Sequence, residues 1–186
     1  MQEKENVLRI LEGTKKAIEK GDSAVLKSLS NQTINTASLT QDLDNIAVAV
    51  LVYSLSKIIE RENYHKLKGW NVFYKKLVGF LDRLVEDVKK NDEVGFRKDF
   101  ELIRKSIESL SGKLKKYIEE VFRMAEVNKA SRIYAHGISA EQTAQLLGVT
   151  LYELAEYSGK SGISDVPESR TMNVKNRIKL VEEFFG

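Results

Sequence analysis

Apolar residues recur between residues 96 and 124 at intervals that alternate between four and three. The positions are Phe96, Phe100, Ile103, Ile107, Leu110, Leu114, Tyr117, Val121 and Met124. A repeat of 3.5 residues keeps one stripe of an α-helix facing a partner along its length. Gly112 lies inside the stretch without disturbing the phase, so the pattern predicts one continuous or gently kinked helix from about Glu93 to His136. Such a helix is longer than one globular core needs, and we expect it to connect two parts of the chain.

The remainder of the chain has the composition of an all-α protein. Apolar residues make up 42% of it, there is one proline, and helical periodicity recurs where alternating strand patterns do not. Cysteine is absent, which excludes disulfides and thiolate chemistry. The longest apolar run, 46–53, is too short to span a bilayer, and the first residues lack an apolar targeting segment. We therefore expect a cytoplasmic protein with no membrane partner.

These patterns divide the chain into three predicted segments. Residues 1–112 form an N-terminal helical bundle, residues 113–137 a heptad-patterned connecting helix, and residues 138–186 a helix-turn-helix followed by a terminal helix. The N-terminal helices cover only the first half of the apolar stripe at residues 96–124, so we expect a second copy of the chain to cover the rest. The residues expected at this homodimeric, coiled-coil contact are Leu114, Tyr117 and Val121.

Two segments of the bundle each allow two interpretations. Residues 31–44 are rich in amides and hydroxyls, which suits either one wall of a ligand pocket or a connector whose Asp42 or Asp44 caps the next helix. Residues 63–77 interleave aromatic rings with lysines, as single-stranded nucleic-acid sites do. However, Trp70, Phe73 and Leu77 also fit the buried stripe of an ordinary amphipathic helix.

No constellation of residues typical of catalysis is present. There is no paired nucleophile and base, no phosphate-binding loop, and only His65 and His136 as histidine ligands. We therefore expect neither an enzyme nor a cofactor.

The segment from Ser139 to Leu154 reads SAEQTAQLLGVTLYEL. Gly137 suits the end of the preceding helix, Ser139 with Gln142 suits a capping box, and Gly148 suits a tight turn before a helix capped by Thr150. Over about residues 130–164 the chain resembles the helix-turn-helix of small prokaryotic antitoxin-like proteins, and the rest is similar in character to archaeal helical proteins. The resemblance implies a three-helix DNA-binding unit whose groove-facing residues are Thr150, Leu151, Tyr152, Ala155 and Glu156.

Two functions remain open for this unit. In the first it is a dimeric nucleic-acid-binding regulator of DNA or RNA. The residues expected to contact the nucleic acid are Lys129, Arg132, Thr150, Arg170, Lys175, Arg177 and Lys179. In the second it is a protein-interaction module, either antitoxin-like or part of a ribosome-associated or other complex, that uses Leu151 and Tyr152 for protein contacts. Charge favours the second, because residues 138–169 carry one basic residue against five acidic ones, but on balance we expect the first.

Overall fold

The computed structural model describes residues 1–40 and 42–161, and within them every regular element is helical, which confirms the all-α class. A short 3₁₀ turn, Glu62–Lys66, separates the third and fourth helices. The eight α-helices of these residues are α1 Lys4–Glu19, α2 Ser23–Thr40, α3 Leu43–Glu60, α4 Trp70–Lys90, α5 Glu93–Glu108, α6 Gly112–Ala135, α7 Ala140–Leu147 and α8 Leu151–Ser161.

The ends of several helices are determined by the predicted caps. The Asp92 carboxylate accepts a 2.8 Å hydrogen bond from the backbone N–H of Gly95 and begins α5, while Asn91 ends α4 in the left-handed conformation with φ 57°. The two-residue turn makes α4 and α5 an antiparallel pair, which a 2.9 Å ion pair between Arg83 and Asp99 links. Asp42 caps α3 in the same way, through the N–H of Asp44.

The predicted long helix is wrong, because α5 ends at Glu108 and α6 begins at Gly112. Gly112 has φ +62°, a left-handed conformation that glycine adopts without steric cost and that interrupts a right-handed helix. The two helices then pack on different partners, α5 mainly on α4 and α6 mainly on α3. The apolar phase survives the break because both helices face the same core. On α6 the buried stripe includes Ile118 and Ala125, while Met124 is exposed.

The polar segment after residue 30 is not a connector, because α2 continues to Thr40. Buried hydroxyls in this segment and directly before it bond backbone carbonyls: Thr33 donates to the carbonyl of Leu29 at 3.1 Å, and the preceding Ser30 donates to that of Ala49 at 2.7 Å. Since these groups are satisfied within the α2–α3 pair, they do not form the polar wall of a pocket.

The aromatic and basic segment belongs to the core and its surface. Trp70, Phe73 and Leu77 are buried on α4, whereas Lys66, Lys68, Lys75 and Lys76 are exposed. The interpretation as a buried amphipathic stripe is therefore confirmed.

Two hydrophobic clusters hold the helices together. The larger one joins α1, the first half of α2, α3, the 3₁₀ turn, α4, α5 and the first half of α6. The smaller one joins α2 and α3 to the last three helices, through Ile34, Ala37, Ile46, Ala49, Val50, Ala125, Val127, Ala130, Ile133, Ile138, Ala144, Leu147, Val149 and Leu154. This smaller cluster draws side chains from all three predicted segments, with α7 and α8 packed on α6 and α6 packed on α3 and α2.

Candidate interaction surface on the last helices

The last three described helices, α6, α7 and α8, pack against one another. Ser139 begins α7 by accepting a 3.1 Å hydrogen bond from the N–H of Gln142. Gly148 ends α7 with φ +63°, and the N–H of Val149 bonds back to the carbonyl of Ala144 at 3.1 Å. The short turn brings Leu154 of α8, 2% exposed, onto α6 and α7.

A polar network fixes the beginning of α8. The N–H and hydroxyl of Thr150 donate to Glu153 Oε2 at 2.9 and 2.7 Å, and the N–H of Glu153 donates to Thr150 Oγ1 at 3.1 Å. This is a reciprocal capping box, which satisfies the free amides of a helix start. Because it occupies the Thr150 hydroxyl, that group is not aimed at a phosphate as the nucleic-acid prediction requires.

Arg123 of α6 attaches this capping box to the rest of the molecule. Its guanidinium donates to Glu153 Oε1 from Nε at 3.0 Å and to the carbonyl of Gly148 at 3.1 Å. Hydrogen bonds from Arg123 and then from Thr150 lower the pKa of Glu153 to about 2, so this carboxylate stays charged at neutral pH. Glu153 therefore holds α8 in position and does not face outward toward a ligand.

The outward face of α8 is apolar and acidic. Tyr152 is 76% exposed and Leu151 is 49% exposed, and Ala155 and Glu156 are exposed beside them. Between Gly137 and Gly159 the chain has no Lys, Arg or His and has three glutamates. We call Leu151, Tyr152, Ala155 and Glu156 the α8 face.

The predicted phosphate contact at Lys129 is wrong, because this side chain is completely buried. Its Nζ lies 4.4 Å from the centre of the Tyr53 ring and 3.3 Å from Asn31 Oδ1, with no carboxylate of the described residues at ion-pair distance. Burial, and to a smaller extent the positive charges of Arg132 and Lys27, lower the pKa of Lys129 to about 7. The sequence contains a signal of this burial. Ala125, Lys129 and Ile133 are spaced four residues apart, which places the lysine on the buried stripe of α6.

The remaining predicted nucleic-acid residues are not brought together. Arg132 is exposed on α6. Arg170, Lys175, Arg177 and Lys179 lie outside the described residues.

Two of the three predicted dimer residues are covered by their own chain. Leu114 and Val121 are 2% and 3% exposed within the larger cluster, and the Tyr117 ring stacks on Tyr64 with centroids 5.3 Å apart. Assigning Leu114 and Val121 to a contact with a second subunit is therefore wrong, because α6 already packs on α3. Tyr117 is only partly buried, and its assignment stays a prediction.

No family model, no curated protein and no solved structure matches this chain. Across residues 1–40 and 42–161, His, Asp and Glu side chains form no group of three that could hold a metal ion. None of the helices in that part of the chain has the length and apolar character needed to cross a bilayer.

Proposed function

We propose that the protein is an interaction module that binds a protein partner through the α8 face. The observation that carries the proposal is the exposure of Leu151 and Tyr152 on a helix whose position is fixed by Arg123 and the capping box. Large apolar and aromatic side chains held rigidly on a surface supply most of the affinity of protein interfaces. Exposed residues of this kind on a firmly held helix favour binding over a purely structural role.

The charge of the surface defines the partner. Glu156 is exposed beside the apolar pair, Glu141 is exposed on α7, and no basic side chain lies between Gly137 and Gly159. A complementary partner has an apolar pocket for Leu151 and Tyr152 with Lys or Arg at its edge, because opposite charges at the rim orient the encounter. The resemblance to antitoxin-like proteins is compatible with such a role.

Nucleic-acid binding is the competing function, and the geometry supports it less well. Base recognition in the major groove uses Arg, Lys, Asn or Gln, and the α8 face has none of them. Of the predicted phosphate contacts in the described part of the chain, Lys129 is buried and Thr150 is engaged in the cap, which leaves Arg132. One cation gives little of the counterion release that drives such binding.

The test places a photo-crosslinking amino acid at position 152 in the organism's own cells and identifies what it captures. We expect one protein to be captured from position 152, and its capture to disappear when Leu151→Ser is added. The matched control places the same crosslinker at Val94, which is 78% exposed on α5 and far from this surface. Capture of the same protein from both positions would refute the specificity of the surface.

Mobility shifts of DNA and RNA separate the two functions. We expect the double variant Leu151→Ser with Tyr152→Ser to leave any nucleic-acid affinity unchanged, while circular dichroism shows that the helices persist. If the double variant keeps its protein partner but loses a sequence-specific nucleic-acid target, α8 reads nucleic acid and the proposal fails.

A further inference from the structure

A wide apolar groove crosses the molecule on the side where α5 and α6 separate. Its volume is about 590 Å³, and α3, α5, α6 and α7 line it. The apolar side chains that line it include Ile46, Val50, Ile103, Ile107, Phe122 and Leu147. The groove exists because the chain breaks at Gly112, which sends α5 onto α4 and α6 onto α3 and leaves α3 as the floor between them.

The rim of the groove is negatively charged. It contains Glu101, Glu108, Glu119 and Glu126 but only two arginines, Arg104 and Arg123. Both arginines are already paired: Arg104 lies 3.3 and 3.7 Å from carboxylates of Glu101 and Glu108, and Arg123 holds Glu126 and Glu153. A cationic amphipathic segment is therefore the occupant whose chemistry fits both floor and rim.

The same chain contains a segment with these properties outside the described residues. Val174, Ile178, Val181 and Phe185 follow a spacing of four, three and four, which places them on one face of an α-helix. Arg170 and Arg177, seven residues apart, would flank that face on one side. Residues 170–186 carry four basic and two acidic side chains, a net charge of +2.

The chain between α8 and residue 174 is long enough for the C-terminal segment to reach the groove. α8 begins beside the groove, since Arg123 lines the groove and also holds Glu153. The eleven residues of α8 extend about 16 Å from there. Residues 162–173 can span up to about 40 Å when extended, more than twice the distance needed to return along α8.

We infer that residues 174–185 of the same chain bind in this groove as an amphipathic helix. Val174, Ile178, Val181 and Phe185 enter the apolar floor, and the flanking arginines face the glutamates of the rim. This occupancy also directs Arg177 to the groove and away from any nucleic acid. The inference is independent of the partner proposed for the α8 face.

Cysteine pairing tests the inference in the full chain, which has no cysteine of its own. The first pair is Ala47→Cys, in the groove, with Ile178→Cys; the control pair is Val72→Cys, 62% exposed on α4 and outside the groove lining, with Ile178→Cys. We expect disulfide formation within one chain at least about tenfold faster for the first pair, because docking raises the effective concentration of the two thiols. Gel mobility without reductant and peptide mapping measure the yield and distinguish links within a chain from links between chains.

A second variant keeps the result interpretable. Adding Arg170→Glu and Arg177→Glu to the first pair should reduce its rate toward that of the control pair, and circular dichroism checks that the fold is retained. Equal rates for the two starting pairs would overturn the inference. A link only between chains would assign the groove to a second copy and would overturn it equally.

Discussion

Replacing the buried Lys129 with methionine should make the protein more stable, by an amount that depends on pH. Methionine has a similar length and shape but carries no charge to desolvate. The lysine amine in the folded protein has the ring of Tyr53 and one amide oxygen of Asn31 as its polar partners. These contacts do not replace a hydration shell, which is why burial is the largest cause of the lowered pKa of Lys129.

The magnitude follows from the difference in pKa between the two states. The pKa falls from 10.5 to about 7 on folding, and each unit of pKa corresponds to about 1.4 kcal/mol. Below pH 7 the folded and unfolded chains both hold the proton, so the full cost of burying the charge, roughly 4 to 5 kcal/mol, is present. Between pH 7 and 10.5 only the unfolded chain holds it, and stability rises by up to about 1.4 kcal/mol per pH unit. The cation–π contact with Tyr53 and the Asn31 hydrogen bond are lost in the variant, which reduces its net gain at pH 7 to about 2 to 4 kcal/mol.

Urea unfolding of the wild type and Lys129→Met, followed by circular dichroism from pH 6 to pH 10, measures this difference. We expect the gain to be largest at pH 6 to 7 and to fall below about 1 kcal/mol at pH 10, where the folded amine is neutral. Lys116→Met is the matched control, because Lys116 is an exposed lysine of the same helix. Its stability profile should run parallel to that of the wild type.

Two results would refute the reasoning. Lower stability of Lys129→Met at pH 7 would mean that the amine makes favourable contacts worth more than its desolvation. A gain of constant size from pH 6 to pH 10 would mean that the amine does not change protonation on folding.

Two further predictions concern the residues at and just after the break between α5 and α6. Gly112→Ala should cost about 1 to 2 kcal/mol in urea unfolding, because Gly112 has φ +62° and an L-residue is strained there although no atom lies within 4 Å of the added Cβ. Gly79→Ala, where the Cβ also meets nothing but the glycine lies inside α4, should instead stabilise by about 0.5 to 1 kcal/mol, and equal effects at both sites would contradict the role of the left-handed conformation. Leu114→Ala should cost about 2 to 5 kcal/mol because Leu114 is 2% exposed within its own chain, with light scattering showing the same mass as the wild type. If Leu114→Ala instead dissociated an oligomer, that result would support the dimer contact predicted from the heptad pattern.

Features set by neighbouring residues could be predicted from the sequence. The Asn91–Asp92 turn, the Ser139 cap and the Gly148 turn each depend on side chains within three or four positions of one another, and the structure has all of them. Exposure of Leu151 and Tyr152 could be predicted for the same reason, once α8 was known to begin after Thr150.

Features that depend on distant residues could not be predicted. The alternating spacing of the apolar residues continues unchanged across Gly112. It therefore does not distinguish one long helix from two helices that face the same core. The partner of Glu153 is Arg123, thirty residues earlier, and local spacing does not identify it. The spacing of Lys129 with Ala125 and Ile133 places it on the buried stripe of α6, but its contacts Asn31 and Tyr53 lie about 100 and 76 positions away in sequence.

The smaller hydrophobic cluster makes the C-terminal helices inseparable from the rest of the protein. Ala144, Leu147 and Leu154 complete a core whose other walls are α2, α3 and α6. A fragment containing residues 138–161 alone would leave these side chains in water, which is too little buried surface for a segment of that size to fold. Because α7 and α8 pack on α6, and α6 packs on α3 and α2, a substitution on the buried faces of α6 acts on the N-terminal helices and on the last two described helices together.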